Sequence, residues 1–147
     1  MTASTPDLAV VVATYRRASL LPRLVAALEA QRGAGDFEVV IVDDCSPDDT
    51  QAVLGDLQRT STVPLRVLKQ SRNAGPAAAR NRGWRATAAG RLAFTDDDCV
   101  PQPDWLATLS AGLDDADVVQ GRTAPDPQQA QAHGPFSRTL DVPAMDG

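Results

Sequence analysis

The chain has 147 residues, 43% apolar and 22% charged, which fits one globular domain and excludes disordered or collagen-like compositions. No apolar run approaches the ~18 residues of a membrane span, and the opening MTASTPD has neither the basic region nor the apolar stretch of a secretory signal, so a protein of the cytoplasm with no membrane span is expected. A net charge of −5 weighs against nucleic acid as a partner, and two cysteines, Cys45 and Cys99, are too few for a disulfide scaffold or a four-thiolate zinc site; both read as small buried hydrophobes in a reducing compartment.

The run from Leu8 to Ala13 is continuously apolar and β-branched, the pattern of a strand buried on both faces. Ser19 is placed to cap a helix whose Leu20, Leu21, Leu24, Val25 and Leu28 recur at helical spacing, with Pro22 tolerated in its first turn. Gly33-Ala-Gly35 ends it, and Phe37 to Val42 is the second strand. Ser46-Pro47-Asp48-Asp49 spells a helix start with Ser46 as the N-cap, and Val53, Leu54 and Leu57 supply that helix's apolar side. Leu65 to Leu68 is a third strand. Asn73-Ala-Gly75 is a turn, after which Pro76 opens an Ala-rich helix closed by Gly90. Leu92 to Thr95 is a short fourth strand, Pro103 and Asp104 begin a helix through Trp105, Leu106 and Leu109, and Val118-Val119 is a fifth strand. After Gly121 the periodicity fades into a Pro- and Gln-rich stretch.

Strands alternating with helices predict an α/β fold, a mostly parallel sheet with flanking helices. Ligands bind such sheets beyond the carboxyl ends of the strands, which directs attention to residues 14–17, 43–46, 71–75 and 96–99. The 17 Asp against 2 Glu, and 13 Arg against one Lys, are unequal in ways that suit this: Asp favours caps and metal ligation, Arg bidentate phosphate contacts. Asp96-Asp97-Asp98 is the strongest signal. Two unit charges about 5 Å apart at an effective dielectric near 20 repel by about 3 kcal/mol. A cation relieves this, and an oxygen-rich site suits Mg²⁺ or Mn²⁺ bridged to substrate phosphates; the alternative is a solvated acidic loop capping the next helix. Asp43-Asp44 ends the second strand in the same way, either as a helix-capping turn or as acceptors for a base N–H or a ribose hydroxyl. Tyr15, the only Tyr, can stack on a ring, and Arg80, five residues into the third helix, can neutralise a diphosphate. There is no GxGxxG and no GxxxxGK[ST], and the single His133 is assigned nothing.

VVVATYRR, EVVIVDDCSPDDT, NAGPAAARNRG and GRLAFTDDDCVPQPDWL, in this order from about Leu8 to Leu109, resemble the N-terminal motifs of family 2 glycosyltransferases, inverting enzymes of the Rossmann-like GT-A fold. The resemblance implies a nucleotide-diphosphate sugar as donor, a divalent metal, Mn²⁺ or Mg²⁺, and an acceptor it leaves open. Ala13 and Tyr15 would line the base and Asp44 accept from it. Asn73 and Arg80 fall on donor-contacting positions. Asp96 and Asp98 are the outer residues of a DXD motif, with Asp98 on the metal and Asp96 reaching the ribose or a metal-bound water, and Asp97 is grouped with the substrate-binding residues. Ala13 stands where the family usually has Pro, and Arg16 where it has Asn.

The resemblance also sets an expected organisation: residues 1–121 as the nucleotide-sugar-binding domain and 122–147 as an irregular tail leading toward an acceptor-binding part. The fold is then incomplete at its C-terminus, with the catalytic base beyond Gly147. Asp126, Asp141 and Asp146 qualify as bases only by composition. An uncovered sheet edge would favour a homo-oligomer or a mobile tail. Two other classes compete, a non-catalytic nucleotide-sugar-binding module and a nucleotidyltransferase; the second would carry a Gly- and Lys-bearing loop after the first strand, and TYRRAS has neither.

Overall fold

Strand β1 (Leu8–Thr14) is enclosed almost throughout because it has a strand on either side. The computed structural model, which describes residues 4–127, pairs it with β2 (Phe37–Asp43) and with β4 (Arg91–Phe94), while β3 (Leu65–Lys69) lies on the far side of β2. All pairings are parallel, in the order β3-β2-β1-β4.

This order determines where the helices go. Successive right-handed crossovers from β1 to β2 to β3 put α1 (Leu21–Glu29) and α2 (Thr50–Thr60) on one face; the reversal from β3 back past β1 to β4 puts α3 (Pro76–Arg85) on the other. Both faces are therefore covered, which is why LAVVVA and VVIV read as continuous apolar runs rather than alternating ones. Val10 to Val12 and Val39 to Val42 are fully buried or nearly so, and α1 contributes Leu21, Leu24, Val25 and Leu28. The reversal of strand order between β1 and β4 opens a crevice at their carboxyl ends.

Helix α3 sits close on the sheet because its inner face is small. Ala79 is buried against Val40 and Val42, and a Cβ at Gly83 would lie 2.5 Å from Val11 Cγ1. In an exposed helix Gly→Ala gains about 1 kcal/mol. Here the overlap wins, and Gly83→Ala is expected to destabilise by about 1–3 kcal/mol, read as a lowered urea midpoint at unchanged slope.

Several expected boundaries move, each because a tertiary partner claims a group that local patterning had assigned elsewhere. Ser19 makes no cap: α1 is preceded by a turn in which the Leu20 and Leu21 N–H groups donate to Arg17 O. Ser46 is not the N-cap of α2, because its hydroxyl donates to the buried Asp43 carboxylate; the helix starts four residues later, with the Asp48 carboxylate accepting from the Thr50 N–H and hydroxyl. That hydroxyl contact holds the Asp48 carboxyl below its ordinary value. Helix α3 ends at Arg85 rather than near Gly90, since Thr87 turns its hydroxyl to Glu38 and accepts from the Ala89 N–H. Cys45 and Cys99 are free thiols, half-buried rather than core residues, because both stand in the loops at the strand ends. Val118-Val119 is not a strand: Val118 is 77% exposed and no ladder partner pairs with the two residues among those described.

The chain divides into two compact units, Met1–Ala107 and Thr108–Gly147. The sheet and α1 to α3 lie in the first. In the second, Val119 packs on Gly112 at the end of α4 (Trp105–Gly112). His133, Asp141, Asp146 and most of the 122–147 stretch lie outside the described residues. No helix among the described residues is long and apolar enough to cross a membrane.

Candidate functional site

Successive side chains of a strand point to opposite faces, and this separates the two adjacent aspartates at the end of β2. Asp43 faces the α2 side. It is fully buried, accepts from the Ser46 N–H at 3.1 Å and hydroxyl, and takes the Gln51 amide of α2 at 2.6 Å. It is an internal anchor, so the expected alternative in which Asp43 meets a base or ribose fails: its carboxylate is enclosed by these donors. Asp44 faces the α3 side, where it accepts from the N–H groups of Ala74 at 2.9 Å and Gly75 at 2.8 Å. Gly75 adopts φ +90° there, a conformation L side chains rarely take, and so delivers both its own N–H to Asp44 and the chain to Pro76 at the start of α3.

The loop after β1 is tied across to these residues. The Arg16 N–H donates to Ser46 Oγ at 2.9 Å, and both Arg16 and Cys45 adopt left-handed backbone to bring the two loops together. At the end of β1 the Thr14 hydroxyl donates to Asp97 at 2.7 Å, with the Arg17 guanidinium 4.0 Å away. Burial pushes the Asp97 carboxyl above its ordinary value, opposed by the Thr14 hydrogen bond and the Arg17 charge. Thr14→Val keeps the shape and removes that donor, and is expected to cost about 1.5–3 kcal/mol in a denaturant titration.

With Asp97 turned inward, its neighbours in the triplet turn out. Asp96 pairs with Arg80 of α3 at 2.5 Å, and Asp96, Asp98 and Cys99 bring one ligand atom each within 4.8 Å of one another. Arg80 neutralises only Asp96, so the exposed Asp98 carboxylate beside it leaves surplus negative charge, the donor chemistry that fits a hard divalent cation. Cys99 does not suit it: its thiol is soft, and burial pushes it up, toward the protonated form.

These loops enclose a cleft of about 380 Å³ at the carboxyl end of the sheet. Ala13, Tyr15, Asp44 and Asn73 line it, together with Arg80, Asp96, Asp97 and Asp98, so all the residues expected at the site meet there. Thr14, Arg17, Gly75 and Pro76 also line it. Thr14, Arg17 and Gly75 fall within the strand-end segments that the sequence marks for ligand binding, without a role of their own, and Pro76 reads there only as a helix start.

Residues 9–135 match the sequence profile described as Glycosyl transferase family 2. The chain belongs to that family. It is 33% identical over 145 residues to the succinoglycan biosynthesis protein ExoO of Rhizobium meliloti (strain 1021), a match spanning 97% of this chain and 35% of ExoO. Among solved structures it resembles the mannosyltransferase PcManGT from Pyrobaculum calidifontis in complex with GDP-Man and Mn2+, with TM-score 0.71 and 27% identity over 80% of this chain and 35% of that one. It also resembles S. aureus TarS 1-349 in complex with UDP, with TM-score 0.67 and 26% identity over 82% of this chain and 38% of TarS. The chain thus spans little more than a third of each of these proteins. The four-stranded parallel sheet with its flanking helices is the GT-A arrangement expected from the motifs.

Proposed function

We propose that residues 1–121 form the donor-binding part of an inverting, metal-dependent glycosyltransferase that takes a nucleotide-diphosphate sugar. The carrying observation is the convergence in one cleft of surplus carboxylates (Asp96, Asp98), a cation (Arg80) and the Tyr15 ring beside Ala13 and Asp44. The two structural neighbours with GDP-Man and UDP support a nucleotide sugar, and the one with Mn2+ supports a divalent ion. In such a transfer the bond from the anomeric carbon to the diphosphate oxygen breaks as an acceptor oxygen attacks the opposite face. The diphosphate leaves with the electron pair, and the acceptor hydroxyl gives up its proton to a base.

In this reading Asp98, with Asp96, would hold the metal, which when bound supplies positive charge to the departing diphosphate. Arg80, now paired to Asp96, supplies a second cation at the same edge. Tyr15 stacks on the base, Asn73 meets the donor, and Asp97 holds the acidic loop to β1 through Thr14. The reading assigns the base to no described residue. The free, half-buried thiols Cys45 and Cys99 support a reducing, cytoplasmic setting.

Calorimetry with uridine, guanosine, thymidine and adenosine diphosphates, each with Mn²⁺, with Mg²⁺ and with a chelator, tests this. At least one nucleotide should bind, and the chelator should weaken it. Absence of binding by all four with either metal would overturn the reading.

A further inference from the structure

Between Asp56 and Asp96 the chain carries eight Lys and Arg and no acid, whereas the rest carries six cations against all nineteen acids. Three of the eight sit beside an acid. Arg59 pairs with Asp56, Arg66 with the buried Glu38, and Arg80 belongs to the cleft. Four of the others, Lys69, Arg72, Arg82 and Arg85, are exposed and come from the end of β3, the loop after it and the outer side of α3.

These elements are physically joined. The Arg82 guanidinium donates to Lys69 O and to Gln70 Oε1 at 2.9 Å, which places the end of β3 against α3. Two residues on, at the other flank of the exposed side of α3, stands Trp84, 39% exposed, with the Arg85 guanidinium 5.1 Å from its ring centre and its indole N–H donating to Asn81 at 3.1 Å. An exposed Trp among cations on the side of a helix facing away from the sheet has the composition that settles at the headgroup level of a bilayer. In that layer long Lys and Arg stems can lie along apolar surface while their charges meet phosphates.

We propose that this face of α3, with the end of β3, docks on an anionic lipid surface, Trp84 entering the headgroup layer and Lys69, Arg72, Arg82 and Arg85 contacting lipid phosphates. Charge complementarity selects this occupant. The overall charge of −5 would repel an anionic membrane, so attraction requires the segregated cations to face it. The face is separate from the donor cleft, which none of Lys69, Arg72, Arg82, Trp84 or Arg85 lines.

Co-sedimentation of the full chain with vesicles of phosphatidylcholine alone, and of equal parts phosphatidylcholine and phosphatidylglycerol, tests it. Binding should require the anionic lipid and fall away as salt is raised toward about 1 M, where charges are screened within about 3 Å. The double variant Arg82→Ala/Arg85→Ala should lose about 25-fold in partitioning, roughly fivefold per cation, and keep wild-type nucleotide affinity. Arg82→Lys/Arg85→Lys, which keeps the charge, should bind as wild type. In a Trp105→Phe background, the emission of Trp84 should move to the blue on anionic vesicles only. Equal binding to the neutral vesicles, or full binding by the double alanine variant, would overturn the proposal. So would tighter binding to duplex DNA than to anionic vesicles, or self-association abolished by the same alanines, which would make the face an interface for nucleic acid or for a second copy.

Discussion

Nucleoside diphosphate should bind the wild-type chain about 10–100-fold more tightly with Mn²⁺ or Mg²⁺ than with a chelator, and Asp98→Asn should abolish that difference. The size follows from the loss of one contact to a charged group, about 1.5–3 kcal/mol. Asp98 is the better place to test than its neighbours. Asp97 is tied inward to Thr14, so its loss disturbs the loop, and Asp96 is already held by Arg80, so its loss frees a cation as well as removing a carboxylate. Asp98 is exposed and shares ligand distance with Asp96, which makes Asp98→Asn a change of charge at nearly constant shape. Equal affinity for variant and wild type, with and without metal, would remove the metal from the reading and leave the triplet as a solvated loop.

Asp44→Ala should weaken the preferred nucleotide by roughly 1–3 kcal/mol and cost about 3 kcal/mol of stability, because two N–H groups lose a charged acceptor at once. These are the N–H groups of Ala74 and Gly75, which shape the turn into α3 and with it the position of Asn73. The nucleotide effect therefore has two components, and ranking separates them. If a free lobe of the carboxylate also accepts from the base, the variant should flatten the preference among uridine, guanosine, thymidine and adenosine diphosphates. An unchanged ranking at lower affinity would make Asp44 solely the anchor of the 73–75 turn. Asp44→Asn should fall between, since one amide oxygen replaces two acceptors.

Much of this arrangement was legible in the residues themselves. Continuous β-branched runs fix β1 and β2 as strands covered on both faces, because a parallel sheet with helices above and below buries every side chain of LAVVV. The cleft-lining aspartates were legible for a related reason: in parallel sheets carboxylates crowding a strand's carboxyl end are costly without a ligand, so DDC at the end of β2 and TDDDC after β4 stand out by charge and position alone.

The strand order β3-β2-β1-β4, and with it the crevice between β1 and β4, depended on pairings distant in sequence. Which aspartate does what was likewise decided by tertiary structure. Alternation along β2 sends Asp43 to Gln51 and Asp44 to the turn before α3, and the Thr14 hydroxyl draws in Asp97 so that Asp96 and Asp98 face out. Ser46 shows the limit most directly. Local spacing makes it a helix cap, but a buried Asp43 carboxylate is costlier to leave without donors than a helix end that Asp48 can serve, so the hydroxyl goes to Asp43 and the helix begins at Thr50. The sequence by itself determined the elements, the sheet class and the loops that carry chemistry, because those follow from periodicity and charge within a few residues. Only the tertiary structure decided the partner of each polar group, because every buried donor and acceptor must be matched at once, whether the partner lies 3 residues away, as Ser46 does from Asp43, or 83, as Asp97 does from Thr14.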